Sequence, residues 1–233
     1  MRCTPDRGFA VRAAVLGTAT AVPFGAQVDA FVVADGSSIG IMAAASRRER
    51  PGFDLTTPVA DVTFDPASAQ VVATGEQAAR IAADARRLAA VLSAAGMVGG
   101  MRACLDGAVA YAKQRHQFGR PIGGFQAVKH LCAEMFVELE LARSATMYAV
   151  WALGTGSDDR DRAASTAKAL ASDAYTFVAD TALHVHGGMG FTWEHHSHLH
   201  MRRAAVEAAS HGTPAEHREN FLAAHGYPNR GES

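Results

Sequence analysis

The spacing of apolar positions changes near residue 73. Before it they come in short runs, at 9–17, 30–34, 38–45 and 59–64, set among Val, Thr, Gly, Pro and Asp. Runs of this length and composition predict strands, with Asp35-Gly36 and Pro51-Gly52 as turns between them. The expected product is a small antiparallel β region, too small to close a sandwich by itself, whose edges need cover. From Thr74 the apolar period lengthens to that of a helix. Thr74 and Gln77 have the spacing of a capping box. A first helix is expected over 75–115, with Ile81, Leu88, Leu92, Ala95, Gly99, Ala103 and Tyr111 inward. Its small residues Gly96, Gly99, Gly100, Ala103 and Gly107 suit close approach of other helices. Pro121 and its glycines break the chain at 119–124. A second helix follows over 125–153, on a stripe from Phe125, Val128 and Leu131 through Cys132, Met135 and Leu139 to Ala142 and Ala149, stopped by Gly154. A polar turn leads to a third helix over 162–185, with Ala167, Leu170, Ala174, Phe177 and Thr181 inward, ended by the glycines at 187–190. Helices at 194–209 and 214–224 complete an up-down bundle. The fold class is therefore α+β: a partial β domain over 1–73, then an α-helical bundle over 74–233.

Composition narrows the functional classes. The 233 residues are 48% hydrophobic and 19% charged with a net charge of −1, which fits a globular chain and gives nucleic acid no basic stripe to bind. Lysine occurs only at 113, 129 and 168. Cys3, Cys104 and Cys132 are odd in number and lack CxxC spacing, so a reducing cytoplasm is expected. Arg2 and Arg7 precede an apolar stretch in the manner of a signal peptide, but Arg12 interrupts it and no cleavage site follows, so a buried strand is expected there. No run reaches the ~20 apolar residues of a bilayer span, and no membrane partner is expected.

Two segments carry chemistry. Residues 111–126 read YAKQRHQFGRPIGGFQ, and residues 184–203 read HVHGGMGFTWEHHSHLHMRR. Arg115 is a permanent, forked cation suited to phosphate, and equally a helix-ending surface cation. Phe118 is an apolar face or a core side chain. Gly187 and Gly188 let backbone approach a ligand closely, or simply cap a helix. No GxGxxG is present, so a Rossmann site is not indicated.

Taken together these segments resemble the acyl-CoA dehydrogenase family, whose pattern YAxxRxxFGxPIxxFQ opens the C-terminal bundle and whose HGGxGFTWEH pattern follows its third long helix. The resemblance runs from about residue 8 to 225. In the TWEH form it is similar to an actinobacterial subgroup that degrades steroid side chains and is often heteromeric. It implies FAD as cofactor, with Arg115, Phe118, Gln126, Gly187, Gly188 and Thr213 as cofactor-binding residues, and with Arg115 reaching the FAD of a neighbouring subunit. It also implies an acyl-CoA substrate, a homo- or hetero-oligomer (a dimer of dimers) with another acyl-CoA dehydrogenase subunit, and electron-transfer flavoprotein or a similar acceptor as redox partner.

The sequence departs from the family where the catalytic base belongs. A glutamate usually precedes Gly-Thr; here His211 precedes Gly212-Thr213. The second family position for the base aligns with Ala89, with Asp84 nearby, and the substrate-side arginine aligns with Ala90, beside Arg86 and Arg87. His211 titrates near neutrality and can serve as a base, or stand as a spectator in a subunit without catalysis. The family's N-terminal helical domain and the strand segment around the flavin ring have no counterpart in these residues. His184, His186, His195, His196, His198 and His200 crowd one stretch, yet no HExxH or cysteine ligand accompanies them, so surface or interface histidines are expected, with no metal. The expectations are an FAD-dependent acyl-CoA dehydrogenase subunit or, alternatively, a non-catalytic subunit that completes a partner's FAD site.

Overall fold

The computed structural model describes residues 9–13, 18–34, 36–64 and 68–225; Cys3, Asp35 and the end of the first expected run lie outside them. The chain forms two compact units, 1–86 and 87–233, the boundary falling inside the first long helix.

The first unit holds seven strands: β1 (Phe9–Ala13), β2 (Thr18–Pro23), β3 (Ala30–Ala34), β4 (Ser38–Met42), β5 (Ala44–Arg50), β6 (Val59–Phe64) and β7 (Gln70–Thr74). They form two sheets, ordered β1-β3-β4-β7 and β2-β6-β5. All pairings are antiparallel except β1 with β3, which is parallel. The strand expected over 38–45 divides at Ala43 and feeds both sheets. Contrary to expectation the two sheets do share a core: Phe31 and Val33 of β3 pack with Ala19, Val22, Val62 and Phe64 of β2 and β6, with the Phe31 and Phe64 rings edge to face at 5.3 Å. On the second sheet, Arg48 and the Ala21 amide hold the Asp61 carboxyl down to about 2, and Arg50 also pairs with it.

Helix α1 (Gly75–Gln114) follows. Thr74 is still paired in β7 with Ser38, and Gly75 turns the chain at φ 56 with its amide on the Ser37 carbonyl, in place of the capping box expected at Thr74. Ala78 and Ala82 of the first turns pack on Ile39 and Ala73.

In the second unit α1 leads to a small hairpin, β8 (His116–Gln117) and β9 (Arg120–Pro121), then α2 (Gln126–Thr155), α3 (Arg160–His186), α4 (Ser197–Ala209) and α5 (Pro214–Ala223). Gly154 does not stop α2; Gly156, at φ 66, does. Residues 187–191 form a 3-10 turn, so α4 starts at Ser197 and not at 194. The core is built from small and flexible side chains: Ala94, Met97, Met101 and Ala108 of α1, Met135, Leu139 and Ala142 of α2, and Ala167, Ala171 and Val178 of α3. Several positions read as inward are exposed instead, namely Ile81, Leu88, Leu92, Leu170 and Phe177. Helices approach closely along their small-residue faces, which turns these larger side chains outward. An 18-residue window of α1 is apolar enough to cross a bilayer by composition, with mean hydropathy 1.6 and 39% of the window buried, against expectation.

Gly100 marks the closest approach. A Cβ there would lie 2.5 Å from the Tyr175 phenol, whereas a Cβ at Gly96 would meet nothing within 4 Å. Gly100→Ala is expected to destabilise the bundle by about 1–3 kcal/mol through overpacking, while Gly96→Ala gains up to about 1 kcal/mol of helix propensity. Thermal unfolding followed by circular dichroism checks the pair; equal midpoints would contradict the packing assigned to Gly100.

Candidate cofactor and substrate site

The first motif spans the end of α1, the β8–β9 hairpin and the start of α2. Phe118 and Gly119 form the two-residue hairpin tip, both with positive φ, 54° and 77°, as a primed turn demands. Glycine takes this geometry freely; a phenylalanine there is strained. The Phe118 ring is nevertheless 90% exposed, meeting Phe125 edge to face with centroids 6.1 Å apart, and the Phe125 ring is covered by Arg120 at 4.1 Å. Arg115 links α1 to the hairpin through its backbone, its amide on the Tyr111 carbonyl and its carbonyl accepting from Ile122, each at 2.8 Å. Its guanidinium is exposed and has no hydrogen-bond or ion-pair partner among the described residues. Gln126, the first residue of α2, is exposed.

The second motif joins the first through Tyr111. Its ring lies 4.6 Å from that of His186 and its hydroxyl is 3.9 Å from Met189 Sδ. Gly187 caps α3 at φ 61 and, like Gly188, is exposed with nothing within 4 Å of a would-be Cβ. Gly190 is the tight glycine of the run, since a Cβ there would meet the Leu183 carbonyl at 2.5 Å. Arg115, Phe118, Gly187 and Gly188 thus share one end of the bundle. An unpaired cation, an exposed strained aromatic and open glycine backbone suit a dinucleotide: phosphate for the guanidinium, a flat ring for Phe118, close approach at the glycines.

The histidines after this turn stack instead of converging. His195 lies 4.5 Å from His186 and 4.7 Å from His196, ring to ring, and His198 stacks on Trp193 at 4.6 Å. Among the described residues no three His, Cys, Asp or Glu side chains are placed to hold a metal. Burial pushes the Cys104 thiol up to about 12, which leaves it no nucleophilic character.

The third region is elsewhere. His211 is exposed at φ 56, and Gly212 follows at φ 98. Thr213 caps α5: its hydroxyl accepts from the Glu216 amide while the Glu216 carboxylate takes both the Thr213 amide and hydroxyl. That capping box engages the hydroxyl assigned to the dinucleotide. Behind the turn lies Lys168 of α3, a residue that sequence reading passed over, with Nζ 3.0 Å from the Gly212 carbonyl. Along α3, Lys168 and Gly187 are about 28 Å apart at ~1.5 Å of rise per residue. The structure therefore gathers the Arg115 and Gly187 groups and sets the His211 turn far from them. Of the alternatives for base and substrate-side cation, Arg87 is tied to Asp161, while Ala90 is buried.

Comparison with known proteins bears on this arrangement. Residues 75–225 match the family model described as acyl-CoA dehydrogenase, C-terminal domain. The chain is 33% identical over 188 residues to acyl-CoA dehydrogenase IpdE2 of Mycolicibacterium smegmatis, covering 81% of this chain and 56% of that protein. It is 48% identical over 118 residues to acyl-CoA dehydrogenase FadE34 of Mycobacterium tuberculosis, covering 50% of this chain and 17% of the relative. Among solved structures, the Tcur3481-Tcur3483 steroid ACAD aligns with a TM-score of 0.77 at 25% identity, over 94% of this chain and 62% of that one. The ChsE4-ChsE5 complex from Mycobacterium tuberculosis aligns in fold with a TM-score of 0.79 at 24% identity, over 97% and 65%. These matches define a flavoprotein dehydrogenase fold. The chain belongs to the acyl-CoA dehydrogenase family, whose members bind FAD, and it spans little more than half the length of the IpdE2 relative.

Burial holds His195, His200 and His217 below the ordinary histidine value of 6.5, with neighbouring histidines adding to the effect at His195 and His200. The unfolded chain takes up these protons first as pH falls. The stability contributed by the neutral rings is therefore complete above about 6.5 and is lost as pH drops through their lowered folded values. Melting midpoints should fall between about pH 7.5 and pH 5; a flat or rising trend would contradict the lowered affinity of these rings for a proton.

Proposed function

We propose that this chain is a subunit of an FAD-dependent acyl-CoA dehydrogenase whose Arg115, Phe118, Gly187 and Gly188 hold the dinucleotide of FAD bound mainly by another subunit. The observation that carries the reading is the exposed, unpaired Arg115 guanidinium behind a strained and exposed Phe118. The long separation along α3 between these groups and the His211 turn supports a site completed between chains. So does the apolar surface left by Phe136, Leu141, Met147 and Trp151 of α2, since a patch of this kind calls for a partner. The partner is a second acyl-CoA dehydrogenase subunit, in keeping with the ChsE4-ChsE5 complex of similar fold, and the arrangement is a dimer of dimers.

The substrate is a CoA thioester, with a steroid-derived acyl chain favoured by the likeness to the Tcur3481-Tcur3483 steroid ACAD. In the reaction the α-carbon gives up a proton and the β-carbon a hydride, leaving an α,β double bond. FAD, when bound, supplies the hydride acceptor, and electron-transfer flavoprotein or a similar protein then takes the electrons. Arg115 pairs with the pyrophosphate, Phe118 covers an apolar ring, Gln126 donates an amide hydrogen bond, and the Gly187-Gly188 backbone admits the cofactor. His211 stands where the family base stands and takes the proton. Thr213 acts by capping α5 and fixing that turn.

A second reading is favoured by the histidine in place of glutamate: the chain completes a partner's FAD site and leaves catalysis to the partner. His211→Gln in the assembled complex separates them, abolishing turnover in the first case and sparing it in the second. Arg115→Ala should lower flavin affinity of the complex about tenfold or more by removing a charge-assisted pair, measured as bound flavin per protomer after gel filtration; parent-level flavin would sink both readings. Phe118→Gly should weaken flavin retention while leaving the melting midpoint equal or higher, because it relieves a positive-φ side chain that buries almost nothing.

A further inference from the structure

Lys168 lies in the first half of α3, on a face shared with Ala164, Ala167, Ala171 and Ser172, and is 0% exposed. Its Nζ donates to Ser172 Oγ, to the Glu207 carbonyl in the last turn of α4, and to the Gly212 carbonyl, each at 3.0 Å. An ammonium has three donors, and all are used. Burial lowers the affinity of this amine for its proton, while Glu207, Asp173 and Glu216 act in the opposite direction. The Glu207 carbonyl lies in the last turn of α4, the negative end of a helix. An apolar side chain of similar volume would fill this place without the desolvation of an ammonium. The cation is thus explained by what it holds.

What it holds is the backbone that follows His211. From α5, His217, 7% exposed, places Nε2 2.9 Å from the His211 carbonyl. That carbonyl can only accept, so Nε2 carries the proton. Two successive carbonyls are anchored from the inner side by buried donors on two helices. His211 itself stays exposed on left-handed backbone, φ 56, and such backbone persists where the surroundings determine it. Gly212 is required both by φ 98 and by space, since a Cβ would lie 2.7 Å from His217 Nε2.

We propose that Lys168 is a positioning residue that, through the Gly212 carbonyl, sets the orientation of the 211–213 turn and of the His211 imidazole. The catalytic use of that turn rests on the function proposed above; the orientation of His211 is readable without it.

The test uses the full chain assembled with its partner subunit. Lys168→Met deletes the ammonium at similar volume, and Lys168→Gln keeps a donor with shorter reach. The His211 imidazole resonance, assigned by its loss in His211→Gln, reports orientation through its titration midpoint. The expected result for Lys168→Met is a displaced His211 titration, kcat lower by about tenfold or more, KM within about twofold and unchanged flavin content. Lys168→Gln falls between parent and Lys168→Met, and carries the comparison if Lys168→Met does not unfold cooperatively. A lower melting midpoint with the His211 titration unmoved is the mark of a purely structural lysine and overturns the proposal. A displaced titration with unchanged kcat upholds Lys168 as positioner and removes His211 from catalysis. Absence of flavin from the parent complex sinks the function and leaves the titration to decide on Lys168.

Discussion

The close burial of α3 is the constraint on which the second unit depends. Most of its inward residues are Ala, Ser or Val, and α1, α2 and α4 contribute to the same core. Small side chains bring helix axes near one another, and close-packed interiors resist adjustment. α3 therefore acts as a ruler. Its C-terminal end carries Gly187 and Gly188 beside the Tyr111 end of α1, and its first half carries Lys168 beside the His211 turn. The distance between the two chemical regions is fixed by helix rise, and no side-chain rearrangement shortens it.

That geometry accounts for the distribution of chemistry. Arg115 and Phe118 are held outward by a strained hairpin at one end, the Arg115 guanidinium without a partner among the described residues. His211 is held outward by anchors beneath it. On the proposed reading each region serves a cofactor shared between chains, which gives a role to apolar residues such as Leu141 and Trp151 that the fold leaves on the surface. The overpacking limit at Gly100 and the buried neutral histidines belong to the same economy of space, in which polar groups inside the bundle are few and mostly paired.

Much of the bundle was legible because long periodic segments report their own structure. The helices at 75–114, 126–155 and 160–186 lie within two residues of expectation at each end, and two strands, Ala30–Ala34 and Val59–Phe64, match throughout. What failed has local causes. Most of β5 lies outside the expected runs, because its residues, among them Arg47, Arg48, Glu49 and Arg50, are charged and lie on an exposed edge strand. β2 and β7 expose most of their residues, and the parallel β1–β3 pair depends on a connection that apolar spacing does not report. Leu88 and Leu92 look like core by size, yet the core selected the alanines and methionines beside them. Gly156 ended α2 because the left-handed cap was formed there and not at Gly154. At the site, the motif led to Arg115 and Phe118, but Lys168 went unread, although a rare lysine on an alanine face was the available signal. Thr213, expected as a ligand group, also caps α5, a second use that its Thr-x-x-Glu spacing reports.

The central claim concerns one guanidinium and a phosphate on a cofactor that another chain holds. An experimentally determined structure of the assembled complex with FAD bound measures it directly. The account predicts Arg115 Nη atoms within hydrogen-bond distance of the FAD pyrophosphate, with the flavin ring lodged in the neighbouring subunit. Arg115 facing bulk water, away from any nucleotide, would contradict it.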